Sequence, residues 1–189
     1  AGPAADALSP AWAEVDRLAR ETFTREALPG LGPVVRDRND RTVFSATYGD
    51  FDLGRTIAVA SASKLVSGLV LLDLVGRGLL PLDATTGTVL GWSGPKASIT
   101  LRHLMSFTSG LRPEALCTFN ANTTLEDCVA LIRDAPAEAP IGTQFDYGGT
   151  HLHVAGRMAE VVTGKAWNAL FADILATPLG VTGAAYFAS

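Results

Sequence analysis

The segment Ser61-Ala62-Ser63-Lys64 sets a hydroxyl and an amine three residues apart. On the first turn of a helix such positions are neighbours on one face. A serine hydroxyl is a weak nucleophile that needs an adjacent base. A lysine serves as that base only in its neutral form, which a desolvated site favours. The run that follows, with Leu65, Val66, Leu69, Val70, Leu72, Leu74 and Val75, is apolar nearly all round. It predicts a helix buried on most sides, the surroundings that would dry the amine. Backbone N–H groups at its start would suit a developing oxyanion near Ser61. The chemistry in view is nucleophilic acyl transfer. S-x-x-K alone is a weak pattern, and a capped helix with a solvated lysine has the same letters. Against that, the chain has three lysines, Lys64, Lys96 and Lys165, beside twelve arginines. Lys64 falls in the least polar region, where a solvated role is harder to sustain.

A second element is Phe145-Asp146-Tyr147-Gly148-Gly149-Thr150. A loop tyrosine flanked by glycines can project its phenol into a cleft and relay a proton once a cation lowers its pKa. The plainer alternative has Tyr147 packing over a helix end while the glycines make the turn. His151 and His153 form H-x-H, but two residues apart on a helix they point to different sides. Surface or capping roles therefore outrank metal binding. His103 is expected to make structural hydrogen bonds, Ser63 to turn away from Ser61 or support the helix start, and Trp92 and Trp167 to pack.

The elements that must position these groups follow from periodicity and punctuation. Ser9 and Pro10 start a helix whose apolar face holds Trp12, Val15, Leu18, Ala19 and Phe23, with Gly30, Gly32 and Pro33 ending the segment. Val34-Val35 and Thr42-Val43-Phe44 read as a hairpin turned by Asp37 to Asp40. The Ser61 helix runs to about Gly78, and Pro81 breaks it. Thr100 caps a short helix with Leu101, Leu104 and Met105, and Leu125 to Ile132 is another, ending before Pro136. Thr150 caps a third, which carries Leu152, Ala155, Met158, Ala159 and Val162 and stops at Gly164. Trp167 to Leu175 is the last. A lone hairpin is marginal in water, so further strands are expected downstream or on a second chain.

Composition narrows the function. A chain of 189 residues suits one domain, and 48% hydrophobic against 18% charged residues argues for a folded core. A net charge of −4 with no basic cluster argues against nucleic-acid binding. The longest apolar stretch, Leu65 to Leu80, is interrupted by Ser67, Gly68, Asp73 and Arg77 and predicts a buried helix, not a membrane span. The opening Ala1-Gly2-Pro3-Ala4-Ala5 has no signal-peptide pattern and is compatible with a mature end. Cys117 and Cys128 stand in a polar stretch, either bridged across a short loop or as two free thiols; a bridge favours a secreted or periplasmic protein.

Taken together, four ordered segments resemble the serine β-lactamase-related superfamily, which includes class C β-lactamases, D-alanyl-D-alanine carboxypeptidases and family VIII-type esterases. Ile57 to Lys64 looks like the nucleophile segment, and Thr100 to Leu111 (TLRHLMSFTSGL) like the helix and turn between the first two motifs. Tyr147-Gly148-Gly149 is similar to Y-x-N, and Pro178-Leu179-Gly180-Val181 to a later recurrent stretch. The likeness spans about Pro33 to Tyr186. It implies an α/β (α+β) fold, an antiparallel sheet flanked by helices plus a helical region. Residues 1–60 would supply the helix and hairpin, and residues 61–189 the nucleophile helix and helical region. It further implies that Ser61 forms an acyl-enzyme on an ester, amide or lactam, with Lys64 and Tyr147 shuttling protons and no cofactor. Two departures stand out. Gly149 replaces the asparagine that would bind substrate, which puts amide handling in doubt. The third motif, K-T-G or H-x-G, is absent, and a continuation or companion chain is expected to carry it. The competing expectations are a penicillin-binding sensor without turnover and a structural fragment with a degenerate site.

Overall fold

The helical spacing of Trp12 to Phe23 is realised in α1 (Pro10–Arg25), whose apolar stripe packs on the strands that follow. Trp12 stacks on Phe44 at 5.7 Å and Phe23 lies 6.2 Å from Tyr48. Tyr48 donates to Asp16 at 2.6 Å, under the Arg20 guanidinium. The computed structural model describes residues 10–120 and 122–186, so Ser9, expected as the α1 cap, lies outside the described residues. The chain divides into two units, Ala1–Ile57 and Ala58–Ser189.

In the first unit the predicted hairpin is β2 (Val34–Arg36) with β3 (Thr42–Ser45), antiparallel, with a register shift between Val35 and Arg36. Asp37 makes the turn: its Oδ1 accepts from the N–H of Asn39 at 2.8 Å and of Arg41 at 3.0 Å. α1 stops well before Gly30, because Ala27 turns into the left-handed region (φ 47°) and Leu28 N–H closes on Phe23 O at 3.1 Å. The freed chain makes an unexpected two-residue strand, β1 (Gly30–Leu31), paired antiparallel with β4 (Tyr48–Gly49).

The second unit is helical. A 3₁₀ turn (Ala60–Ala62) feeds α2 (Ser63–Gly76), followed by α3 (Thr86–Leu90), α4 (Leu101–Met105), α5 (Leu125–Asp134), α6 (Thr150–Thr163) and α7 (Trp167–Phe171). The end of the predicted last helix is a π-helical turn, Ala172–Ala176. α6 is the hub, packed by α2, α3, α4, α5 and α7, with Val154, Ala155, Met158 and Ala159 fully buried. Trp92 and Trp167 are core residues, as expected. Thr100 caps α4, and the His103 ring closes the reciprocal bond to the Thr100 N–H, so His103 is structural. Gly164 ends α6 at φ 67°.

Two expectations are corrected. α2 is not buried on most sides: Ser67, Val70, Leu71 and Leu74 are covered, whereas Leu65, Leu69 and Leu72 are 72%, 47% and 48% exposed. Thr150 does not cap α6. Gly149 is the N-cap, and Thr150 is buried inside the first turn, its N–H donating to Pro113 O at 3.1 Å. Cys117 and Cys128 are bridged, which ties the 3₁₀ turn Leu116–Phe119 to α5. Closing so short a loop contributes about 3 kcal/mol through the unfolded chain. Among the described residues no helix is long and apolar enough to cross a membrane.

Candidate active site

Ser61 lies inside the 3₁₀ turn, not on α2 itself. Lys64 stands in the first turn of α2, three residues on, and reaches back to it. Lys64 Nζ donates to Ser61 Oγ at 3.0 Å. Ser63 points away, its hydroxyl donating to Ala60 O at 2.7 Å and holding the turn closed. Ala60, just before Ser61, has φ 44°. For a residue with a Cβ that region costs about 1–2 kcal/mol. Ser61 is exposed and Lys64 half-buried. The drying of Lys64 by its own helix is not seen, since Leu65 beside it is open.

Tyr147 arrives from the loop before α6. The Lys64 ammonium lies 4.8 Å from its ring centroid. Hydrogen bonding to Ser61 and then the neighbouring Lys64 hold the phenol below its ordinary value, against desolvation and the Glu114 charge, which push it up. Tyr147, more than eighty positions further along the sequence, is thus brought to Ser61 and Lys64. The arrangement can pass a proton among a hydroxyl, an amine and a phenol, the equipment of acyl transfer.

The loop bearing Tyr147 is set by close backbone approach. A Cβ on Gly148 would fall 2.0 Å from Pro113 O, so only glycine fits there. Gly149 does not project into open space: its N–H donates to Glu114 Oε1 at 3.0 Å, and its carbonyl accepts from His153 Nδ1 at 2.9 Å. Glu114 therefore supplies the anionic partner that the N-terminus of α6 lacks locally. Underneath, Phe107 has φ 56°, and its ring meets Tyr147 at 5.1 Å, Phe145 at 5.9 Å and His151 at 5.4 Å. Phe107 and Glu114 were invisible to spacing arguments, since each acts on a residue more than thirty positions away.

The two histidines separate as helical geometry requires. His151 is fully buried rather than on the surface, bonded through Nδ1 to Ser109 Oγ at 2.8 Å, and burial lowers its pKa. His153 takes the capping role, and desolvation holds it neutral too. The Ser67 hydroxyl donates to Ser63 O and meets the Tyr186 hydroxyl at 2.8 Å, which fastens the segment after the π turn to α2.

Comparison with known proteins gives consistent relatives. A protein from Bacteroides dorei DSM 17855 assigned as a β-lactamase has a crystal structure that superposes with a TM-score of 0.82 at 34% identity, over 90% of this chain and 52% of that one. Penicillin-binding protein 4 of Amycolatopsis lactamdurans is 33% identical over 131 residues, 64% of this chain and 33% of its own length. Acyltransferase mokF of Monascus pilosus is 23% identical over 208 residues, 89% of this chain and 50% of its own length. The chain spans between a third and about half the length of these relatives. The Beta-lactamase family model matches residues 15–189, and the chain belongs to that family.

Proposed function

We propose that this chain carries the nucleophile of a serine hydrolase that works through an acyl-enzyme at Ser61. The observation that supports this best is the 3.0 Å contact between Lys64 Nζ and Ser61 Oγ, with the Tyr147 ring 4.8 Å from the same amine. In its free-base form Lys64 takes the Ser61 proton while Oγ attacks a carbonyl carbon of an ester, amide or lactam. The Ser61 N–H at the head of α2 faces the developing oxyanion. The carbonyl then re-forms, and the leaving group departs with a proton from the Tyr147 phenol, which Lys64 restores. Water or another nucleophile repeats the steps in reverse order to release the acyl group and free Ser61.

Esters and peptide-like substrates rank above β-lactams, because Gly149 offers no side-chain amide to an incoming amide group. The acyltransferase among the relatives supports acyl transfer as well as hydrolysis. The bared Leu65, Leu69 and Leu72 on α2 and the two-stranded ladders support further strands, in a continuation or companion chain, that carry the third motif. The disulfide supports export. A panel of activated esters and a chromogenic cephalosporin, assayed on the intact protein, tests the reading. Ester turnover that exceeds cephalosporin turnover and vanishes in Ser61→Ala is expected; undiminished turnover in Ser61→Ala refutes it. A penicillin-binding sensor, favoured by the Amycolatopsis relative's name, would instead keep a penicilloyl adduct for hours.

A further inference from the structure

We propose that Glu114 is a charge-selecting residue of this site: it favours substrates with a positively charged nitrogen near the scissile carbonyl and disfavours those with an anion there. This rests on the acyl-transfer reading above. Gly149 stands where the Y-x-N pattern has a side-chain amide. A Cβ built there would lie 3.1 Å from Glu114 Oε2 and 3.8 Å from its Cδ, so the carboxylate sits where a side chain at 149 would begin. In place of the neutral amide that the Y-x-N pattern brings, this site has a carboxylate.

That carboxylate is held in place but not neutralised. Oε1 accepts from the uncharged Gly149 N–H at 3.0 Å, and Oε2 lies 3.4 Å from the Thr118 hydroxyl, which donates to Ala115 O at 2.7 Å. Its segment is fixed on both sides, by the Arg112–Glu138 pair and by the disulfide at Cys117. No lysine, arginine or histidine among the described residues forms an ion pair with it, although Arg112, two residues away, is paired elsewhere. Its field reaches the neighbouring groups: it works against the lowering of the Tyr147, His151 and His153 pKa values, and His153 also feels Lys64. Glu114 therefore stands within electrostatic range of both Tyr147 and the Lys64 neighbourhood, exposed and ready to meet a charge on the substrate.

Accepting the Gly149 N–H needs only an oxygen, which glutamine also supplies, whereas selection among charged substrates needs the carboxylate. The two roles therefore come apart in Glu114→Gln. The test uses p-nitrophenyl esters of matched acyl size bearing a fixed trimethylammonium group, its neutral tert-butyl isostere, or a sulfonate. In the wild type kcat/KM should fall in that order. In Glu114→Gln the cationic-to-neutral ratio should drop about fivefold and the sulfonate-to-neutral ratio rise by about as much, the worth of one exposed ion pair. Both changes should shrink in high salt. Structural damage would lower all three rates together and leave the ratios alone. Ratios unmoved by Glu114→Gln overturn the proposal, even when Ser61→Ala still abolishes turnover and the acyl-enzyme reading stands. Turnover that survives Ser61→Ala overturns that reading, and the Glu114 assignment with it.

Discussion

The coupling of Tyr147 to Ser61 can be read directly from the tyrosine spectrum. The chain has three tyrosines in distinct surroundings. Tyr48 is pushed up to about 12, by burial and then by its bond to Asp16. Burial also raises Tyr186. Tyr147 alone is held below the ordinary 10.0, because hydrogen bonding to Ser61, and then Lys64, favours the phenolate. Tyr147 and Tyr48 are therefore shifted in opposite directions. In an alkaline titration followed at 295 nm, with far-UV circular dichroism confirming that the fold persists, the first phenolate to form should be Tyr147. The step should account for one tyrosine and vanish in Tyr147→Phe. Ser61→Ala removes the largest single lowering influence and Lys64→Met two others, so each should move the step upward. The sign for stability follows. A pKa lower in the folded chain favours folding only as the pH rises past that value, and the contribution is complete above the unfolded 10.0. Neutral-pH stability should thus be indifferent to Tyr147→Phe. An early step that stays in place in Ser61→Ala would refute the inferred hydrogen bonding.

Two further predictions concern the frame around the site. Lys96 donates to the carbonyls of Ile132, Arg133 and Ala135 and closes the C-terminus of α5, so Lys96→Met should destabilise the chain by about 2 kcal/mol in urea unfolding. Gly148→Ala forces a methyl onto Pro113 O, and should cost about 1–3 kcal/mol while displacing Tyr147, seen as loss of the early phenolate step.

Local signals made much of this molecule legible in advance. The α1 stripe, the Thr100 cap, the hairpin around Asp37 and the stop at Gly164 each depend on residues within a few positions of one another. So does the Ser61–Lys64 contact, although spacing does not separate the 3₁₀ turn that holds Ser61 from the helix that holds Lys64. What escaped was set from far away. β1 and β4 are two residues each, too short to show alternation. The α6 cap was misassigned to Thr150 because its true anionic partner, Glu114, lies 35 residues earlier. The burial of α2 was overstated because an all-round apolar pattern says which faces can be covered, not which ones are. The buried His151 was expected in a surface or capping role, since nothing near it announces the Ser109 hydroxyl that bonds its Nδ1.

The account depends above all on Ser61 being the atom that becomes acylated. Intact-mass analysis and peptide mapping after treatment with a fluorophosphonate measure this directly. One adduct is predicted, on the peptide containing Ser61, and it should be lost in Ser61→Ala and slowed at least tenfold in Lys64→Met. A label on another side chain, or full labelling of Ser61→Ala, would contradict it.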